Sequence, residues 1–116
     1  MILLCYRKCS TCKSVQKEMD EKGLEYEVRE IDLDNPSAEE LQRWHEMSGL
    51  PLSRFYNSSG MKYRELGLAA KRKLISEEEQ YELLATDGML VKRPILLVED
   101  HVYVGPDVKK YVQAIE

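Results

Sequence analysis

The segment Cys9-Ser10-Thr11-Cys12 narrows the possible folds of this chain more than any other. It stands between a short apolar run, Met1–Tyr6 (MILLCY), and a stretch in which Cys12, Val15 and Met19 recur three and four residues apart. The run has the length of a strand and is too brief for a helix, whereas the spacing after it marks one face of a helix. A CxxC at such a junction sets a thiol at a helix N-terminus. There the macrodipole and the unpaired backbone N–H groups both favour the thiolate, which is the reactive form. Two cysteines one turn apart also fall within the ~4.4–6.8 Å Cα span that a disulfide tolerates. Cys9 is therefore the candidate nucleophile and Cys12 the thiol that can resolve a mixed disulfide.

Other roles for these thiols can be weighed against that one. The chain has three cysteines, Cys5, Cys9 and Cys12, all in its first twelve residues. An odd number gathered in one corner cannot staple a fold, which excludes a secreted disulfide scaffold and points to the reducing cytosol. A zinc site needs about four ligands. A single CxxC with His45 and His101 far away in sequence falls short, so no metal is expected. Inert packing is the plainer alternative for Cys12, because it also lies on the helix's apolar stripe. Cys5, mid-run in the strand, reads as a small buried hydrophobe.

Composition bounds the rest. With 116 residues the chain suits one domain spanning 1–116, able to bury roughly two-thirds of its unfolded surface. Its 17 Lys and Arg against 21 Asp and Glu, a net charge of −4, argue against direct nucleic-acid binding. Arg7, Lys8 and Lys13 nevertheless flank the CxxC. No apolar run approaches the ~20 residues of a membrane span, and the start lacks the basic n-region of a signal peptide.

The remaining pattern is that of an α/β chain. The first helix is expected over Thr11–Lys22, with Gly23 just past its end. Tyr26–Ile31 reads as a second strand. Ser37 with Glu40, and Ser76 with Glu79, form capping boxes that open helices running to Ser48 and to Asp87. Asn57–Gly60 is a loop, and Tyr63–Leu66 and Ala69–Lys73 suggest short helices. Ile95–Glu99 (ILLVE), apolar on both faces, predicts a central strand. Asp100-His101 then turns into Val102–Val104. Pro106 opens a last helix whose buried stripe is Val108, Tyr111, Val112 and Ile115. The proline of Lys92-Arg93-Pro94 is either a strand-entry residue or a cis-proline that shapes a site.

Several of these segments together resemble one family. The CxxC after a short first strand, the RPILLV run, NSSGMKYRELGL (Asn57–Leu68) and LLATDGMLVKRPILLVED (Leu83–Asp100) are similar to the ArsC/Spx family, over essentially the whole chain. The resemblance is strongest to its Spx-like bacterial branch. It implies a thioredoxin-like fold with a helical insertion at about 36–86, a cis Arg93-Pro94 bond beside the thiols, and Arg93 as an anion ligand. Lys8, Ser10, Thr11 and Pro94 would complete the substrate site around Cys9, Cys12 and Arg93. Arsenate reductases of the family hold the oxyanion with three arginines. Only Arg93 has a counterpart here, since the other two positions fall at Asn57 and Gly105. The reductases also carry a serine at the position of Cys12. The resemblance thus implies a CxxC thiol-disulfide oxidoreductase rather than an arsenate enzyme. It would have no bound cofactor and would draw on glutathione or another cellular thiol, or on a glutaredoxin- or thioredoxin-type partner. The alternative it implies is a redox-sensing regulator that binds the RNA polymerase α-subunit.

Overall fold

In the computed structural model, which describes residues 1–116, the strand before the CxxC is β1 (Ile2–Cys5). Helix α1 (Ser10–Glu21) follows and stops where Gly23 takes the left-handed conformation, with φ of 67°. A parallel strand pair needs a crossover, and α1 supplies it by carrying the chain to β2 (Glu27–Glu30), which pairs with β1 in parallel. The chain returns to the sheet only at β3 (Ile95–Val98), antiparallel to β1, and then β4 (His101–Val104), antiparallel to β3. The sheet order is β2-β1-β3-β4, so the two strands with apolar residues on both faces are the two central ones. Helix α6 (Pro106–Ala114) closes the chain, with Pro106 in its first turn. This is a mixed α/β, thioredoxin-like architecture.

Strand alternation sorts the core into two layers. Leu3 and Cys5 of β1 and Leu96 of β3 face α1 and α6, joining Cys12, Val15, Met19, Val108 and Val112 in one buried cluster. Leu4 and Ile95 point the other way, into a larger cluster under the helices between β2 and β3. That segment holds α2 (Ala38–Ser48), α3 (Met61–Glu65), α4 (Leu68–Lys71) and α5 (Glu77–Ala85), with 3₁₀ turns at Leu52–Phe55 and Arg72–Leu74. Both capping boxes are closed: Ser37 with Glu40 on α2, and Ser76 with Glu79 on α5. Glu40 has a second partner. Arg29 of β2 donates to both of its oxygens, at 2.7 and 2.9 Å, and this holds the carboxyl down to about 2.

The return to the sheet rests on a backbone contact. A Cβ on Gly88 would lie 1.7 Å from the Ile31 carbonyl oxygen, so only glycine permits the approach. Helix ends shift from the sequence reading by one or two residues, and three further boundaries differ for a physical reason. Strand β2 ends at Glu30, and Ile31, wholly buried, leaves the ladder after its N–H bonds the Cys5 carbonyl at 2.9 Å. The hairpin turn is Glu99-Asp100, one residue early, because Glu99 takes the positive φ of 44° and His101 already pairs with Val98. In α6, Ile115 lies past the helix end and only Val108 and Val112 are fully buried, Tyr111 being stacked on Tyr103 at 4.2 Å instead.

Candidate active site

The thiols are placed by a tight turn between β1 and α1. The Cys9 N–H bonds the Tyr6 carbonyl at 2.9 Å, and the Cys9 carbonyl accepts from Lys13, so Cys9 is the N-cap residue of α1. Its side chain makes no capping bond and the first turn carries no acidic residue, which leaves the N-terminal field of the helix to the thiols. All three cysteines are free. Cys9 is partly exposed, whereas Cys12 and Cys5 are 1% and 2% exposed. Only Cys9 can be reached from solvent.

The charge of the group settles one turn deeper. The Cys12 thiol lies below its ordinary value chiefly because the Cys5 thiol hydrogen-bonds it. The Tyr6 backbone, the Cys9 thiol and the charge on Arg93 act in the same direction, and together they outweigh burial. Cys5 is pushed up in turn, by that hydrogen bond and by its own burial. The sequence reading of Cys5 as a small buried hydrophobe captures its packing and misses its role as a donor. Favourable thiolate character was expected for an N-terminal thiol, and here it resides in the buried member of the pair.

Arg93 lies across this group. Its guanidinium carbon is 5.0 Å from the centre of the Tyr6 ring, and its Nε and Nη1 are shielded from solvent with no hydrogen-bond partner. The Arg93–Pro94 peptide bond is cis and Pro94 is buried. The loop that carries them is tied at both ends. The Lys92 N–H bonds the Phe55 carbonyl, and the Pro94 carbonyl accepts from Gly105, each at 2.8 Å.

Arg93 separates two clefts. One, of about 390 Å³, lies toward α6 and is lined by Thr11, Lys92, Arg93, Gly105, Lys109 and Lys110, among others. The other, of about 530 Å³, lies toward the helical segment and includes Asn57, Lys62, Glu65 and Met89. Asn57 and Gly105, where the family resemblance places arginines, therefore sit on opposite sides of Arg93. Of the remaining candidates, Thr11 lines the α6-side cleft, while Lys8, Ser10 and Lys13 are exposed and line neither. Arg7 is drawn away from the thiols into a two-pronged pair with Asp32, at 2.9 and 3.1 Å. Sequence reasoning did not single out Lys109 and Lys110, whose only signal was two adjacent lysines on a helix. No group of three or more His, Cys, Asp or Glu is arranged to hold a metal ion, and no helix is long and apolar enough to cross a membrane.

Comparison with known proteins agrees with this architecture. Uncharacterized protein YusI of Bacillus subtilis is 50% identical over 100 residues, covering 86% of this chain and 85% of its own. A protein provisionally related to the ArsC family, from Bacteroides fragilis, superimposes with a TM-score of 0.89 at 45% identity, covering 96% of this chain and 95% of that one. A possible arsenate reductase from Streptococcus mutans gives 0.85 at 40% identity, over 90% and 89% of the two chains. The sequence profile of the ArsC family matches residues 4–114, nearly the full length, and the chain belongs to that family.

Proposed function

We propose that this protein is a thiol-disulfide oxidoreductase in which Cys9 attacks and Cys12 resolves. The observation that carries the reading is the arrangement of an accessible N-cap thiol hydrogen-bonded to a buried thiol whose anionic form is favoured. Cys9 passes its proton to the Cys12 sulfur as it attacks one sulfur of a substrate disulfide, and the far half of the substrate leaves as a thiolate. That thiolate takes the proton from Cys12. Cys12 then attacks the mixed disulfide at the Cys9 sulfur and releases the second half, leaving a Cys9–Cys12 disulfide and a substrate reduced by two electrons. A small cellular thiol or a thioredoxin- or glutaredoxin-type protein would restore the dithiol. Asn57 and Gly105 offer no guanidinium where a three-arginine oxyanion site would need one, which speaks against arsenate as the substrate.

The test is to mix reduced protein with hydroxyethyl disulfide and follow intact mass. Wild type should lose the mass of two hydrogens as the internal disulfide forms. Cys12→Ser should stop at a stable adduct on Cys9, and Cys9→Ser should not react. Unchanged reaction in Cys9→Ser would sink the proposal.

A further inference from the structure

Gly105 has a neighbour that takes the place of its missing side chain. Its φ of 62° and ψ of −129° lie where only glycine is comfortable, and a Cβ there would meet Lys92 Cε at 3.0 Å and Cγ at 3.5 Å. The methylene stem of Lys92 therefore lies across Gly105, and the residue lines the cleft beside Arg93 and Thr11. Lys109 and Lys110 enter the same cleft from α6. Lys109 donates to the Ser14 hydroxyl at 3.0 Å, and none of the four cations forms an ion pair. No carboxylate lines the cleft, and Asp107, the acid of the same helix turn, is held by Arg54 at 3.1 Å.

A chain of net charge −4 thus gathers four cations around one cavity with no carboxylate among them. Like charges so arranged repel, and an anion bound among them relieves the repulsion. The volume of about 390 Å³ falls within the roughly 300–1,000 Å³ of small-molecule sites. The cations come from two separate elements, the loop before β3 and α6, so they suit charges spread along a ligand rather than one compact oxyanion. Neither thiol lines the cleft, but Thr11, which lies between Cys9 and Cys12 in the chain, forms part of its wall and sets the motif at its edge.

We infer that this cleft takes small disulfides bearing carboxylates, and that Lys92, laid over Gly105, is the residue that positions them against Cys9. The inference rests on the thiol-disulfide reading above and names its substrate class. The Cys9 sulfur attacks the nearer ligand sulfur, the ligand S–S bond breaks, and the departing half carries its electron pair away as a thiolate. Cys12 then displaces the other half, so the ligand ends as two thiols and the protein as a disulfide.

A charge series of similar disulfides tests this on the reduced full chain: dithiodipropionate (two carboxylates), hydroxyethyl disulfide (neutral) and cystamine (two ammonium groups). In wild type, KM for dithiodipropionate should be about fivefold below that for hydroxyethyl disulfide, and cystamine should be poorest. Lys92→Gln should bring the ratio of the first two KM values close to one, and Lys92→Arg should restore it. Because Lys92→Gln could also disturb the fold, wild type is titrated with salt, which should shrink the same ratio. Suberate, a dicarboxylate of matching length without sulfur, should compete with dithiodipropionate better than inorganic phosphate does. A series indifferent to charge, a ratio untouched by salt or by Lys92→Gln, or stronger competition by phosphate overturns the assignment of the cleft while leaving the oxidoreductase reading intact. Failure of Cys9 to react with all three disulfides overturns both.

Discussion

The two clefts beside Arg93 are built from different materials. On the α6 side the cations Lys92, Lys109 and Lys110 have no acidic partner, and a tied loop and a glycine set the wall. On the helical side charges are balanced: Lys62 pairs with Asp87 at 3.2 Å, Glu65 shares the lining, and the Asn57 amide is committed to the Met89 carbonyl at 3.3 Å. One cleft is poised for an anion, and the other, apart from the Arg93 that both share, is satisfied within itself. The contrast teaches that of the two positions where the family resemblance would place an arginine, Gly105 lies among lysines from neighbouring elements. Asn57, at the other, holds a polar amide spent on local structure.

The largest perturbation expected of this contrast strikes the helical side. Gly88→Ala forces a methyl group into the Ile31 carbonyl and should cost about 3 kcal/mol, read as a lower midpoint of urea unfolding. Where the variant still folds, the charge ordering of disulfide substrates should persist, because the α6-side wall is untouched. Gly105→Ala strikes the other side. It places a Cβ in a glycine-only conformation and against Lys92, and should cost about 2 kcal/mol. Unlike Gly88→Ala, it should also blunt the preference for carboxylates, so KM ratios separate the two variants.

A smaller effect reports on the thiols between the clefts. Cys5→Ala removes the hydrogen bond that is the main cause of the lowered Cys12 value. With that value raised, the anionic form is populated only at higher pH. The pH profile of disulfide exchange should then move toward alkali, with a rate at neutral pH reduced severalfold. A profile that stays in place would show that the Cys5 donor does not matter. Lys62→Gln should do least. Its pair is half-exposed and worth under about 1 kcal/mol, and the ranking of charged substrates should not change.

What could be read from the chain divides along similar lines. Both capping boxes, the glycine stops and the strand–CxxC–helix junction were legible because each is a local pattern of a few residues. The α6-side cation cluster was not. It joins Lys92 to Lys109 and Lys110 across a hairpin, and a lysine pair on a helix has the same appearance whether it faces bulk water or a cavity. Arg7 misled for a related reason: its neighbours in sequence are the thiols, but its partner Asp32 stands 25 positions away. Strand β2 was read too long because it is an edge strand, with Val28 46% exposed, and unlike β1 it has no fully buried residue to mark its limits.

Arg93 supplies charge to Cys12 and forms a wall of the cationic cleft. An anion drawn to that guanidinium and the Cys12 thiolate are rival claimants on one positive charge, so occupancy and ionisation are thermodynamically linked. Each weakens the other by the same factor, whichever comes first. A tightly held anion would thereby quiet the thiols it lies beside, and a ligand that departs as it is reduced would return them to readiness.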